Sequence, residues 1–240
     1  MEYPKINSLW KRDPATHKFL FGELSCKEFL FHLDWDVEEK IDGMNIRIYF
    51  QAVDGEEGTQ GYKFDIKGRT AAANSPKKLE DWIYGKGLEK GLSELGLRNG
   101  VLYGEGFGPG IQSGGIYRSD MAFILFDCYT NRWSTREEIT QIATALNIDR
   151  TPQLGKYSIK EIISKVLSRP KGHYGKCDYT MEGIVARSRP LVRFNNPNAD
   201  PLMFKLKVKD FEGETAKNYF QLLKSHNVSL DEVIYLSENQ

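Results

Sequence analysis

The sequence predicts an α+β fold, mainly antiparallel sheets flanked by helices. Three observations carry that expectation. Period-two alternation marks a half-buried strand where Ile46, Ile48 and Phe50 alternate with Arg47, Tyr49 and Gln51. A turn at Asp54-Gly55-Glu56-Glu57-Gly58 and a second strand pattern at Tyr62–Lys67 then make a hairpin. Separate helical patterns carry their own start signals, Ser134-Thr135-Arg136-Glu137-Glu138 and Ser158-Ile159-Lys160-Glu161, N-cap hydroxyls followed by glutamate. At 240 residues the chain suits one large domain or two small ones, with ample core, and a single α+β domain is the simplest architecture.

In chain order, residues 1–24 look irregular, with Pro4, Asp13-Pro14 and Gly22 as breakers. Trp10-Lys11-Arg12 sets an aromatic beside two cations, either a nucleic-acid contact or a segment folded back on the core. Ser25-Cys26-Lys27-Glu28 reads as a capping box opening a short helix through about Leu33. Strands are expected at Trp35–Lys40, Asn45–Val53 and Tyr62–Lys67. Ser75-Pro76 opens a helix, serine as N-cap and proline as first helical residue. Apolar strands at Val101–Phe107 and Ala122–Tyr129 flank the glycine-rich Gly108–Gly115. Helices capped at Ser134-Thr135 and Ser158 run to about Leu146 and Leu167. Strands at Met181–Arg187 and Met203–Val208 follow, and about 210–236 reads as amphipathic helix. No internal repeat or long linker interrupts this order.

Bulk properties exclude several classes. Lysine plus arginine equals aspartate plus glutamate at 33 each, so a nucleic-acid partner would have to be met by a local basic patch. Cys26, Cys128 and Cys177 are odd in number and widely spaced, which argues against a disulfide framework or a zinc site. His17, His32, His173 and His226 show no metal-ligand spacing. No apolar run reaches membrane length and the start carries no signal peptide, so a soluble, intracellular protein is expected.

The chemistry gathers around Glu39-Lys40-Ile41-Asp42-Gly43-Met44-Asn45. Lys-x-Asp-Gly resembles motif I of the covalent nucleotidyltransferases, in which a lysine carries the nucleotide. Five further stretches resemble that superfamily's motifs in order: Lys67-Gly68-Arg69-Thr70 (Ia), Leu102-Tyr103-Gly104-Glu105-Gly106 (III), Phe123-Ile124-Leu125-Phe126-Asp127 (IIIa), Glu182-Gly183-Ile184-Val185 (IV) and Phe204-Lys205-Leu206-Lys207 (V). Tyr103 to Gln112 is similar to the segment around motif III in the phage RNA ligase 2 family, whose members seal nicks in double-stranded RNA. Tyr-Pro-Lys-Ile near the start, with Trp-Lys-Arg-Asp after it, also resembles small phage members. The resemblance covers about residues 1–210. It implies an ATP-grasp-like nucleotidyltransferase fold, with residues 1–240 as one catalytic domain ending in a helical tail at about 210–240. Founding members carry a further C-terminal domain, for which the residues after motif V leave no room; an OB domain, as in capping enzymes, is likewise not expected.

The resemblance implies a three-step reaction. Lys40 takes AMP from ATP, AMP moves to a 5′-phosphate, and a 3′-hydroxyl displaces it. An amine attacks only when neutral, and the ordinary lysine value is about 10.4. Cations at Arg69, Lys205 and Lys207 would disfavour the charged form of Lys40 and neutralise phosphate oxygens. Lys205 and Lys207 are two apart on a strand and share a side, although continuation to Lys209 also fits a solvated ladder.

By the same resemblance Glu39 makes base contacts, including through its main chain, beside Lys40 and Ile41 in the nucleotide site. Phe126 stacks on the adenine, Val185 packs on its other face, and Arg69 and Glu105 meet ribose and phosphate. Within Phe123–Phe126 one position is expected to face the site while the rest are core. Asn45 assists at the AMP phosphate. Asp42, Glu105 and Glu182 would surround Mg²⁺, with Mn²⁺ as a possible replacement, largely through water. Gly106–Gly115 either wraps a ligand or is simply a tight loop. Arg118, Arg132 with Trp133, and Arg187 to Arg193 are candidates for a duplex track. The reading is therefore an ATP-dependent RNA ligase acting on nicked duplex RNA, monomeric and cytoplasmic (host cytoplasm if phage-encoded), with no membrane partner. DNA or hybrid nicks, or a non-catalytic nucleic-acid-binding relative, are the alternatives.

Overall fold

The computed structural model describes residues 2–31, 34–54, 60–70, 73, 75–188, 192, 202–213, 217, 221 and 224. The chain forms two compact units. One comprises Met1–Tyr3, Ile41–Thr151 and Tyr174–Cys177; the other comprises Pro4–Lys40, Pro152–His173 and Asp178–Gln240.

In the second unit, strands β1 (Asn7–Ser8), β4 (Trp35–Lys40), β10 (Gln153–Tyr157), β11 (Gly183–Ser188) and β12 (Met203–Lys207) make one sheet in the order β1-β12-β11-β4-β10. β11 is antiparallel to both β4 and β12, and β1 joins the edge of β12 in parallel. Strand alternation sends Trp35, Val37, Ile184, Ala186, Phe204 and Leu206 into one apolar core. Helix α4 (Ile159–Leu167) lays Ile159, Ile162, Ile163 and Val166 into the same core. Each such side chain contributes about 1.5–3 kcal/mol when fully buried.

Residues 1–24, read as irregular, instead carry a hairpin of β2 (Trp10–Arg12) and β3 (Phe19–Leu24). Asp13-Pro14 begins its turn, where Asp13 accepts from the N–H groups of Ala15 and Thr16, while Gly22 lies within β3 at φ 89°. The helix expected from Ser25 is a 3₁₀ helix over Lys27–Phe31.

In the first unit, β5 (Met44–Asp54), β6 (Gln60–Lys67), β7 (Asn99–Phe107), β8 (Ala122–Tyr129) and β9 (Asp149–Arg150) form a sheet in the order β6-β5-β7-β8-β9. All its pairings are antiparallel except β8 with β9. Ile46, Ile48 and Phe50 face its core as their alternation predicts, with α1 (Lys77–Tyr84), α2 (Leu88–Glu94) and α3 (Arg136–Ala145) adding Leu79, Leu92 and Ile139. Ser75 does not cap α1; Pro76 occupies the N-cap position, and the Ser75 hydroxyl donates to Glu80. The three cysteines are free. Among the described residues, no helix is long and apolar enough to cross a membrane. The turn expected at 55–58 and nearly all of the tail expected as helix lie outside the described residues.

Candidate functional site

In the second unit's sheet, Gly183 pairs with Lys40 on one side and with Lys207 on the other. Residues level across a pleated sheet project to one face, so both lysines rise together over a gap of two strand spacings, about 9–10 Å. Glu182, just before β11, bridges that gap. Its carbonyl accepts from the Val208 N–H at 2.9 Å, which fixes the backbone. Its carboxylate accepts from Lys40 Nζ on one oxygen and from Lys207 Nζ on the other, each at 2.6 Å. The side chains of Lys40, Lys207 and Glu182 keep 20%, 22% and 12% of their surface exposed. Two ammonium groups around one carboxylate leave a net positive charge facing a partly open surface, an arrangement suited to receive an anion.

Val185 and Lys205 are level with one another one step further along the sheet, on that same face. Beyond them lies the buried pair of Arg187 and Glu38, at 3.5 Å. Arg187 also reaches Met203 Sδ and is therefore part of the interior; it cannot serve in a duplex track. Residue 193 lies outside the described residues.

Glu39 sits on the opposite face from Lys40, as alternation requires. Its carboxylate is buried, accepting from the Tyr179 hydroxyl and the His173 N–H, both at 2.7 Å. Its own N–H donates to the Pro152 carbonyl at 3.0 Å. Glu39 thus anchors the 171–180 loop to the strand that ends in Lys40. Tyr179 and His173 carry no sequence signal for this role, because nothing in their local pattern says which strand the loop will cover.

The first unit holds the remaining candidates. Ile41 is buried, and the Asp42 N–H donates to the Tyr117 hydroxyl at 2.9 Å. Gly43 is needed for close approach: a Cβ there would lie 2.4 Å from the Gly106 carbonyl oxygen. Asn45 and Glu105 are directly opposite one another on β5 and β7, both partly exposed. Arg69 is exposed just after β6, whose end is held by Arg47 Nε donating to the Gly68 carbonyl at 2.9 Å. Phe123, Ile124 and Leu125 are core, whereas Phe126 is partly exposed. The cause is a bulge: Asp127 pairs with Tyr103 and Leu125 with Gly104, leaving Phe126 without a register partner. Tyr3 meets the Phe126 ring edge-on at 4.9 Å between centroids.

The glycine-rich segment is a tight loop, with Gly108 bridging Ile111 and the Ser113 N–H donating to the Asp42 carboxylate at 3.4 Å. The outward arginines are already paired. Arg118 grips Asp120 through two 2.9 Å bonds, which push its guanidinium value further up, and Arg132 pairs with Glu138. Among the described residues, no group of three or more His, Cys, Asp or Glu is gathered as a metal site. Asp42 and Glu105 belong to the first unit and Glu182 to the second.

Residues 33–207 match a family described as RNA ligase. Among solved structures, Naegleria gruberi RNA ligase with PPi is similar at 18% identity and a TM-score of 0.60, over 91% of this chain and 58% of that one. A lysine-to-alanine variant of that ligase with ATP and Mn gives 17% identity and a TM-score of 0.58, over 89% and 60%. A lysine-to-methionine variant with AMP and Mn gives 17% and 0.57, over 90% and 63%. This chain therefore spans about three fifths of the length of these relatives, and the likeness supports the mixed α+β fold. Among curated proteins, none matches the sequence.

Proposed function

The chain belongs to the RNA ligase family, and from that membership we propose that it is an ATP-dependent polynucleotide ligase working through a lysyl-AMP intermediate on Lys40. The observation that carries the proposal is the shared carboxylate: Lys40 Nζ and Lys207 Nζ held on the two oxygens of Glu182 at the end of three strands. In the first step Lys40 Nζ forms a bond to the α-phosphorus of ATP. The bond to the bridging oxygen breaks, pyrophosphate leaves, and the amine proton goes to solvent. AMP then passes to a 5′-phosphate, and a 3′-hydroxyl displaces it to form the phosphodiester. Nicks in duplex RNA are the proposed substrate.

Glu182 positions Lys40, holding its Nζ 2.6 Å from the carboxylate at the end of the strand. Lys205 and Lys207 supply positive charge for phosphate oxygens. Phe126 and Val185 are assigned to the adenine, Glu39 to it through the main chain, Glu105 and Arg69 to ribose and phosphate, and Asn45 to the AMP phosphate. Carboxylate oxygens at Asp42, Glu105 and Glu182 are the donor type that a hard cation takes, and Mg²⁺ or Mn²⁺, when bound, neutralises phosphate charge. A monomer acting in the cytoplasm completes the reading.

Incubation with α-labelled ATP and a divalent cation tests it. Label that survives denaturation and alkali but is released by acid, as a phosphoramidate requires, is expected on the protein from ATP and not from GTP, and Lys40→Ala abolishes it. Label that persists in Lys40→Ala would move the nucleophile elsewhere, and label from GTP would indicate capping chemistry. Nicks in RNA, DNA and hybrid duplexes then separate the substrates, RNA being sealed fastest.

A further inference from the structure

A cavity of about 710 Å³ opens on the second unit, beside the sheet edge where β1 meets β12. Two separate stretches supply its cations, Lys5, Lys11 and Arg12 from the N-terminal hairpin region and Lys205, Lys207 and Lys209 from β12 and its continuation. Among the described lining residues the one carboxylate is Asp210, and Arg12 matches it at 2.8 Å. Arg12 is a structural wall: it also donates to the His17 carbonyl at 2.9 Å and lies 4.1 Å over the Phe19 ring. Lys5, Lys11 and Lys209 are exposed, and the ion pair of Lys11 with Glu23 is long and solvent-screened.

From this we infer that the cavity holds the sugar–phosphate backbone of the polynucleotide substrate, leading a strand toward Lys40. The inference rests on the ligase reading above. Among the described lining residues the one indole or phenyl ring is that of Trp10, and its burial favours a contact to backbone over one to bases. Its ring is fully buried among Phe19, Phe21 and Phe211, so β2 turns its aromatic inward and Lys11 and Arg12 outward. With that ring withdrawn, Lys5, Lys11 and Lys209 offer the cavity ammonium groups, which meet phosphate irrespective of sequence. Lys207 is common to the cavity and to the Lys40–Glu182–Lys207 cluster, so a backbone seated here ends beside the nucleophile. In a chain of zero net charge, this concentration of cations is a local field with a defined direction.

The experiment measures binding of a fluorescent nicked RNA duplex over a salt series, with three proteins. They are wild type, the triple variant Lys5→Ala/Lys11→Ala/Lys209→Ala, and a control with exposed lysines removed from the other unit (Lys63→Ala/Lys78→Ala/Lys90→Ala). The cavity variant is expected to bind about tenfold or more weakly, with the salt slope reduced by about 1 per lysine. The control stays near wild type, and both keep the wild-type melting temperature. Equal binding by the cavity variant and wild type, or equal losses in both triple variants, overturns the inference. So does displacement of the duplex by tripolyphosphate at matched phosphate concentration, which would mark a compact polyphosphate site. Label transfer from ATP is read separately on wild type. Its absence would sink the ligase reading while the binding comparison still judges the cavity.

Discussion

At the scale of single residues, one carboxylate between two ammonium groups governs the expectations. A charge-assisted hydrogen bond is worth about 1.5–3 kcal/mol, and Glu182 makes two at 2.6 Å. Glu182→Gln retains shape but loses the charge that fixes Lys40 Nζ. AMP transfer is expected to fall about 10–100-fold, measured as the single-turnover labelling rate, while the melting temperature moves by only a few degrees. An unchanged rate would make the pairing incidental to the chemistry. The lysines themselves were legible, because Lys40 and Lys207 stand in recognisable motifs on alternating strands. The partnerships of Glu39 and Arg187 were not. Both are charged residues on strands, and local pattern alone does not tell that one is closed over by Tyr179 and His173 while the other is buried against Glu38. Phe126 was legible as a candidate, but the bulge that brings it out of the core depends on how β8 registers with β7.

At the scale of elements, the helix starts were the clearest signals. Thr135 and Ser158 both close capping boxes, with Glu138 and Glu161 returning to the cap backbone. These bonds are local, so sequence contains all their parts. Thr135→Ala should cost about 1 kcal/mol, read from denaturant unfolding. Arg132's hydrogen bond lowers the value of Glu138, and the Ser158 N–H lowers that of Glu161. A depressed carboxylate stabilises the fold above its unfolded value and loses that contribution as pH falls through its folded value. Unfolding free energy should therefore decline from the ordinary glutamate range downward, and less steeply in a Glu138→Gln/Glu161→Gln variant. Identical acid profiles for the two proteins would remove these caps from the account. The N-terminal hairpin was missed for the opposite reason. Its pairing of Trp10 with Leu24 and Arg12 with Phe19 is irregular, and Pro14 and Gly22 read as breaks when one lies in the turn and the other within a strand.

At the scale of the molecule, two cores and two main sheets arise from one chain, each unit assembled from segments distant in sequence. Strand patterns gave the mainly antiparallel character. They could not give the order β1-β12-β11-β4-β10, in which the first strand joins the last, since that pairing spans nearly the whole chain. The short parallel contact matches Asn7 with Phe204 and Ser8 with Lys205. It shields a strand flank whose amide and carbonyl groups would otherwise be available to any passing chain. Deleting residues 2–8 should therefore promote self-association, visible as concentration-dependent light scattering, and a monodisperse truncated protein would contradict this. Placement of a purification tag has the same logic: a fusion at the amino terminus would sit close to β1, the short strand that covers the edge of β12.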